Sequence, residues 1–369
     1  MLNLETIKTL LAQTGDHTLS IYLNINPGAQ ENQSRTPAWR IQMKNELNAI
    51  EARLDAESRD IWRHLRDQAE QFLTGYHIVS KGLVLFFDPN FQQVYELPLP
   101  IETQCAYGRP LVAPLLWAIE EYQRYLILLV DQEKAHFIVA YLGSAGLADT
   151  LSLELDTEDW REKHLMPATS YGRELRAGSY VDHFEDRVEA HLERFYRDVI
   201  ARAQELKAER GFDRIVLGGS EQAAHAVLNL MPDKLAAQVI ATLPIPMRAT
   251  PHQALEQALP AALAYERQHE RELVEQVIGL AKSGGRAVLG REAVQKAVEQ
   301  QLVELLILPW ALADDELKAW LPAQMLASGG QLELVHGEAA ERLQAEGGLA
   351  ARLYYGVPVG LETGSAADG

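Results

Sequence analysis

The sequence lacks the features of several protein classes. Its single cysteine, Cys105, excludes an internal disulfide and a multi-cysteine zinc site. No apolar run approaches the ~20 residues that span a bilayer, and the longest runs, 83–87 and 125–130, have the length of strands. The first residues have helix spacing and include Glu5, which differs from the basic and then apolar pattern of a secretory signal peptide. We therefore expect a cytoplasmic protein with no membrane partner.

Positive charge is also scarce. The formal net charge of −18 argues against non-specific nucleic-acid binding, because neutralising phosphates requires clustered Lys and Arg. A short stretch from Arg161 to Tyr180 reverses the balance, with four Arg or Lys residues against two Glu. If RNA is bound, we expect loops and shape to make the contact rather than a basic face.

The length of 369 residues and the alternation of strand and helix patterns predict an α/β protein of two or three domains. We predict an N-terminal α/β domain over 1–122 and a middle domain over 123–250 that contains an irregular loop at 156–183. An α/β sandwich follows over 251–369.

Periodicity predicts the individual elements. The predicted strands are 19–25, 82–88, 93–99, 125–130, 135–142, 151–155, 215–217, 239–243, 287–289, 303–308, 332–335 and 351–355. The predicted helices are one or two within 39–73, then 109–122, 183–210, 221–230, 251–282, 291–300, 314–320 and 337–344.

The predicted helix over 183–210 carries one apolar face with spacings of three and four. The residues of that face are Val188, Leu192, Phe195, Val199, Ala203 and Leu206. A second face carries the basic residues Arg187, His191 and Arg194. Acidic residues interleave with these, which favours a salt-bridged surface over an RNA contact, and both interpretations stay open.

Four stretches, in this order along the chain, resemble the archaeo-eukaryotic class I release factor and Pelota superfamily, and its bacterial branch in particular. They are Leu19–Leu23, Phe212–Leu228, Arg286–Leu308 and Gly347–Tyr355. The resemblance implies an RNase H-like middle domain and a C-terminal domain similar to kink-turn-binding ribosomal proteins. It also implies the ribosome as partner (rRNA and tRNA), a translational GTPase such as EF-Tu bound through the C-terminal domain, and no cofactor.

The decisive stretch under this resemblance is RELRAGSYVDHF, Arg173–Phe184. Counting back from an aromatic-basic-valine pattern at Phe195–Val199, Ala177, Gly178 and Ser179 stand where the family has Gly-Gly-Gln. That glutamine helps to place the water that attacks the peptidyl-tRNA ester. Serine is shorter and has no carboxamide, and no glutamine occurs from residue 133 to 203. We therefore predict no catalytic residue here, although enzymatic activity through other loop groups stays open.

The same loop is the predicted RNA-binding site. Its basic side chains are expected to contact phosphates, and its two tyrosines are expected to stack on bases. These residues are Lys163, His164, Arg173, Arg176, Tyr171 and Tyr180, with Ala177, Gly178 and Ser179 at the tip. The alternative is a plain solvated connection in which the glycines serve as turns.

Three further features have ordinary interpretations. A literal Gly-Gly-Gln at Gly329–Gln331 leads directly into a predicted strand, so it is interpreted as a turn. His183 and His191 with Asp182 do not form a metal site, because they are eight residues apart on a helix and lack a third ligand. Cys105 is interpreted as a small buried residue.

We carry three functional hypotheses from the sequence. The leading one is a catalytically inert factor of the ribosomal A site, of the stalled-ribosome rescue or hibernation type. The second is a peptidyl-tRNA hydrolase of the bacterial release-factor type. The third is an off-ribosome adaptor that binds a protein through the acidic third segment, which has 17 acidic and 9 basic residues. The first segment lacks any resemblance to stop-codon-reading motifs, and residues 309–328 lack the cysteines of a zinc knuckle.

Overall fold

The computed structural model describes residues 2–153, 177–312 and 314–356. The predicted α/β class is confirmed: helices accompany three sheets, and each predicted segment contains one sheet. The chain divides into two compact units, Met1–Tyr122 with Leu263–Gly369, and Gln123–Ala262. The first and third predicted segments therefore share a unit, and the division into three domains stays a prediction.

The strands follow the predicted pattern closely. They are β1 (Thr18–Asn24), β2 (Gly82–Asp88), β3 (Phe91–Leu97), β4 (Gln104–Gly108), β5 (Tyr125–Val130), β6 (Lys134–Tyr141), β7 (Ser144–Ser152), β8 (Arg214–Gly219), β9 (Val239–Thr242), β10 (Ala287–Leu289), β11 (Val303–Pro309), β12 (Gln331–Val335) and β13 (Ala350–Leu353).

The helices lie between these strands, together with a short 3₁₀ turn at Gln30–Asn32. They are α1 (Leu4–Gln13), α2 (Ala38–Glu51), α3 (Ala56–Gly75), α4 (Ala113–Glu121), α5 (Ala177–Arg210), α6 (Glu221–Leu230), α7 (Asp233–Ala236), α8 (Pro251–Lys282), α9 (Arg291–Glu299), α10 (Asp315–Ser328) and α11 (Gly337–Gln344). No helix in the described ranges is long and apolar enough to cross a membrane.

The first sheet is antiparallel, with the strand order β3-β2-β1-β4. Alternate residues of a strand face opposite sides, so Leu19, Ile21 and Leu23 of β1 share one face. They are buried against α2 and α3, where Trp39 and Trp62 fill the same core. Strand β4 was missed by the sequence analysis because it is a short edge strand, QCAYG, with little apolar alternation.

The second sheet has the order β7-β6-β5-β8-β9, in which β5, β8 and β9 run parallel to one another, β6 runs antiparallel to β5, and β7 runs antiparallel to β6. This is the RNase H-like arrangement that the resemblance implied. Both faces are covered, because Leu126 and Leu128 pack with Phe195 of α5, while Ile127 and Leu129 pack against α8. That double burial explains why β5 is a continuous apolar run.

A glycine turn joins β8 to α6 within this unit. Gly219 has φ +97°, and a Cβ atom there would overlap the backbone of Val130 on the neighbouring strand. Only glycine fits this close approach with that backbone conformation. The turn therefore depends on the Gly-Gly-Ser sequence at 218–220.

The third sheet has the order β10-β13-β11-β12. Only β11 and β12 run parallel, and the other neighbours are antiparallel. Leu305 and Ile307 pack with the end of α8 and with α11, and the alternate Leu306 and Leu308 are also fully buried. Helices thus cover both faces, as an α/β sandwich requires.

Three predicted elements differ most from the structure. The predicted loop 156–183 ends earlier, because α5 already begins at Ala177; each added residue gains a backbone hydrogen bond, and in this stretch only Gly178 strongly opposes helix. Strand β7 lies at Ser144–Ser152 rather than 151–155, because pairing with β6 outweighs its weak strand propensity. Helix α10 continues beyond 320 through Pro322, and its buried Leu321 and Met325 compensate for the proline.

Candidate functional site

Helix α5 carries the residues that the resemblance singles out. The described part of its predicted apolar face is buried, with Phe195, Val199, Ala203 and Leu206 in the core between α5, α6 and the second sheet and Leu192 partly buried against it. The side chain of Val188 lies outside the described residues. Tyr196 is buried beside Phe195. Burying a large apolar side chain contributes about 1.5–3 kcal/mol, so this row fixes the C-terminal half of the helix firmly.

The first turn of α5 contains the predicted tip. Ala177, Gly178, Ser179 and Tyr180 have helical backbone, so the structure brings them into one turn rather than an irregular loop. Their side chains lie outside the described residues, as do the other predicted RNA-binding residues in full: Lys163, His164, Tyr171, Arg173 and Arg176. Their predicted role stays a prediction. A helix start leaves backbone N–H groups without intrahelical acceptors, and such groups suit phosphate.

The exposed face of α5 is at least partly a salt-bridged surface. Arg197 donates to Glu193 at 2.5 Å, and both side chains are exposed. His191 and Arg194 are exposed as well. The side chains of Arg187, His183 and Asp182 lie outside the described residues, so neither the RNA contact nor the dismissed metal site is tested there.

The literal Gly-Gly-Gln has the structural role predicted for it. Gly329 ends α10 in the left-handed conformation with φ +77°, and Gln331 begins β12. A Cβ atom on Gly330 would overlap the Met325 side chain and lie 3.0 Å from the Val303 carbonyl oxygen. The two glycines are thus explained by a helix end and a tight contact.

Cys105 lies on β4 and packs against the core formed with α2 and α3. Burial raises the pKa of its thiol to about 12, and the nearby Glu46 carboxylate adds to the rise. The thiol is therefore protonated near neutral pH and is a poor nucleophile. This agrees with its interpretation as a structural side chain.

A cluster in the first unit was missed by the sequence analysis. We call it the acidic junction, and it comprises Glu120, Glu121, Glu266, Arg267, Glu270, Glu333 and His336. The Leu334 N–H donates to Glu120 Oε2 at 3.0 Å, which joins the end of α4 to β12. The His336 N–H donates to Glu270 Oε2 at 2.9 Å, which joins the end of β12 to α8.

Arg267 is the central cation of the acidic junction. Its guanidinium forms ion pairs with both Glu121 and Glu270, whose side chains are 10% and 5% exposed. Burial lowers the pKa of Arg267, but these two carboxylates outweigh it and raise the value. Arg267 Nη1 also lies 3.3 Å from His336 Nδ1.

Glu121, Glu270 and His336 bring atoms of metal-ligating type within 4.8 Å of one another. We assign no metal to them, because Arg267 already places a positive charge between the two carboxylates. Among the residues that the structure describes, His336 Nε2 is buried without a hydrogen-bond partner. The ring is packed instead against Trp310, with centroids 6.2 Å apart.

Glu120 has the most perturbed carboxyl group of the acidic junction. Burial raises its pKa well above the ordinary value of 4.5, and the carboxylates of Glu333, Glu270 and Glu266 add to the rise. The hydrogen bond from Leu334 opposes it but is the smaller effect. Burial and the neighbouring carboxylates thus both favour the neutral form of this group over its ionised form.

The first unit also contains a cleft of about 1030 Å³ between β4 and helices α2, α9 and α10. Its lining has as many acidic as basic side chains. Two of the arginines are in ion pairs, Arg109 with Asp16 and Arg291 with Asp314. The charged lining residues are Asp16, Glu46, Arg53, Arg109, Arg291, Glu299, Asp314 and Lys318. This balance gives the cleft no preference for an anionic or a cationic ligand.

Comparison with known families identifies the middle of the chain. Residues 110–263 match the family described as bacterial archaeo-eukaryotic release factor family 10. This middle part of the chain is therefore similar to that family. The match contains the RNase H-like sheet and α5, and it agrees with the resemblance inferred from the four stretches. No curated protein matches the chain.

Several solved structures are distantly similar. A chain of the ribosome-bound assembly of archaeal Pelota and ABCE1 shares 13% identity, covers 96% of this chain and 95% of its own length, and has a TM-score of 0.46. S. cerevisiae Dom34, a translation termination-like factor that interacts with Hbs1, has 13% identity, 79% coverage of both chains and a TM-score of 0.45. The archaeal termination factor aRF1 has 18% identity, coverage of 95% and 97%, and a TM-score of 0.28.

Proposed function

We propose that this protein binds the ribosomal A site as a release-factor-like factor without peptidyl-tRNA hydrolysis, in stalled-ribosome rescue or hibernation. The observation that carries the proposal is the family 10 release factor match over residues 110–263. The proposal also takes Ala177-Gly178-Ser179 as the residues at the position of Gly-Gly-Gln. The family match supports the ribosomal target, and the missing carboxamide supports the inert chemistry.

The start of α5 suits contact with RNA. Backbone N–H groups and the partial positive charge of a helix N-terminus attract phosphate, and Arg173 and Arg176 precede this turn in the sequence. Because the whole chain carries −18, we expect such contacts to be few and local. Binding should therefore weaken only modestly with salt, since the slope follows the number of phosphates neutralised.

Co-sedimentation with ribosomes at about 50, 100 and 200 mM salt, a range over which phosphate contacts weaken measurably, tests the proposal. We expect the protein to pellet with vacant ribosomes at the lowest salt and to be released gradually as salt rises. A protein that stays in the supernatant at every salt concentration would exclude ribosome binding. A folded variant that lacks the basic loop charges, Arg173→Ala with Arg176→Ala, supplies the comparison.

The alternative of a peptidyl-tRNA hydrolase makes a different prediction. Under it, wild-type protein would release peptide from ribosome-bound peptidyl-tRNA, and an Arg176→Ala, Ser179→Ala double variant would not. Under the inert proposal, both proteins leave the ester intact while still binding ribosomes. The release assay and the binding assay together therefore separate the two functions.

The acidic third segment favours a second candidate, an off-ribosome protein adaptor. A pull-down that recovers one dominant non-ribosomal protein and no ribosomal RNA would support it over the leading proposal.

We also propose that a translational GTPase such as EF-Tu binds the C-terminal sandwich. Adding EF-Tu with a non-hydrolysable GTP analogue should then raise ribosome occupancy, and unchanged occupancy would exclude delivery by that GTPase.

A further inference from the structure

Helix α4 is joined to the last part of its own unit through two acidic side chains. Glu120 accepts the hydrogen bond from the Leu334 N–H, and Glu121 pairs with Arg267. Glu120 and Leu334 are 214 residues apart in the chain. The acidic junction thus holds the end of the first 122 residues against β12 and α8.

Three carboxylates face Glu120 from two neighbouring elements. Glu333 faces it from β12, and Glu266 and Glu270 face it from α8. Arg267 forms ion pairs with Glu121 and Glu270. Among the described residues, no ion pair reaches Glu120. An ionised Glu120 would therefore add a further negative charge beside three carboxylates, a costly arrangement in a partly buried site.

We propose that the hydrogen bond between the Leu334 N–H and Glu120 is a proton-sensitive contact between α4 and β12, which we call the fastening. With a neutral Glu120, the hydrogen bond from Leu334 holds the end of α4 on the sheet. When Glu120 ionises, repulsion from Glu333, Glu266 and Glu270 loosens that end and exposes the Leu334 N–H. The device is independent of ribosome binding, so its test does not depend on the proposed function.

The direction of the effect follows from the shift at Glu120. Its pKa is raised in the folded protein, so the folded state holds the proton more tightly than the unfolded state does. The contribution of Glu120 to stability is complete below the ordinary value of 4.5 and is lost as the pH rises through the raised value. The fastening is therefore closed at lower pH and loosens at higher pH.

Aromatic contacts limit how far the loosening extends. Trp117 of α4 stacks on Trp310 with ring centroids 5.3 Å apart, and Trp310 stacks in turn on His336. Lys318 lies over the Trp310 ring at 4.3 Å. These apolar and cation–π contacts do not depend on the charge of Glu120. We expect a local release of the Glu120 end rather than separation of the unit.

Hydrogen exchange at the Leu334 amide reports the fastening directly. The full chain is measured from about pH 4.5, the ordinary value for this carboxyl, to about 8.5, and each rate is corrected for intrinsic chemical exchange. We expect the wild-type protection factor to fall with rising pH, by up to about tenfold per pH unit where Glu120 titrates. The isosteric Glu120→Gln variant keeps the acceptor oxygen and cannot ionise, so its protection should be flat over the same range.

Two further variants make the experiment decisive. Glu338→Gln removes an exposed carboxylate that pairs with Arg271 in the same unit, and it should retain the wild-type pH dependence. Glu333→Gln removes the strongest like charge facing Glu120, so Glu120 should ionise at lower pH and the loss of protection should be smaller and complete at lower pH. If Glu120→Gln fails to fold, the Glu333→Gln variant tests the proposal in its place. Wild-type protection that is flat with pH, or a Glu120→Gln variant with the wild-type slope, would overturn the proposal.

Discussion

Two tripeptides in this protein show how position decides the meaning of a motif. Gly329-Gly330-Gln331 has the literal catalytic sequence of release factors, yet it ends α10 and begins β12. Ala177-Gly178-Ser179 lacks two of the three residues, yet it stands where the resemblance places the motif, at the start of α5. The first is explained by packing, whereas the second lies at a helix start, where backbone N–H groups lack intrahelical acceptors.

The two tripeptides also differ in the side chain at their third position. Gln331 belongs to β12, which pairs in parallel with β11, so this residue is part of the third sheet. Ser179 carries a hydroxyl on one carbon where a carboxamide on two carbons would be needed to place a water. A search for Gly-Gly-Gln alone would therefore select the structural copy and miss the position that the resemblance indicates.

The largest expected effect comes from restoring the motif at the start of α5. An Ala177→Gly, Ser179→Gln variant should release peptide from ribosome-bound peptidyl-tRNA about 10²-fold faster than wild type, because one positioned polar group contributes about that much. Single-turnover release with labelled peptidyl-tRNA measures the rate. The matched control adds Gln331→Ala to the restored variant and should leave the rate unchanged. If Gln331→Ala abolished release, the assignment of the two tripeptides would be reversed.

The second effect concerns stability at the structural copy. Gly330→Val should lower the free energy of unfolding by about 1–3 kcal/mol, because the added atoms crowd Met325 and the Val303 carbonyl. Urea denaturation measures this change. Gln331→Ala at the neighbouring exposed position should change stability by no more than about 0.5 kcal/mol. Equal effects at the two positions would contradict a packing role for the glycine.

The smallest expected effect is on ribosome affinity. Arg176→Ala should weaken binding and reduce the slope of log affinity against log salt by about 1, as expected for one lost phosphate contact. Co-sedimentation over a salt series gives the slope. Arg197→Ala on the exposed face of α5, where Arg197 pairs with Glu193, is the control and should leave the slope unchanged. A slope unaffected by Arg176→Ala would remove this residue from the RNA contact.

Much of the fold was predictable because local patterns agree with it. Strands β2, β5 and β10 and helices α6, α8 and α11 have the predicted bounds. In each, continuous apolar runs or helix spacing coincide with glycine or proline boundaries or with turn residues. The buried face of α5 was likewise predictable from spacings of three and four, and Phe195 and Val199 lie in the core as expected.

Other elements depend on tertiary contacts that a single sequence does not reveal. Strands β4 and β7 are edge strands with weak local patterns, and pairing with β1 and β6 completes them. The start of α5 at Ala177 could not be located, because no capping residue marks it in the predicted loop. Pro322 suggested an early end to α10, whereas packing continues the helix to Ser328.

The acidic junction was the least predictable feature. Its members come from α4, α8 and the end of β12, so their meeting depends on the way the unit folds. One local signal was present: Glu120 and Glu121 end an otherwise apolar helix, APLLWAIEE. Two carboxylates at the negative end of a helix dipole are locally unfavourable and therefore indicate a tertiary partner.

The central claim is that the protein occupies ribosomes without cleaving the peptidyl-tRNA ester. The most direct measurement is single-turnover peptide release by wild-type protein on ribosomes to which it is shown to be bound. We predict full ribosome occupancy with release no faster than in buffer alone. Release well above that background, and lost on Arg176→Ala with Ser179→Ala, would contradict the account.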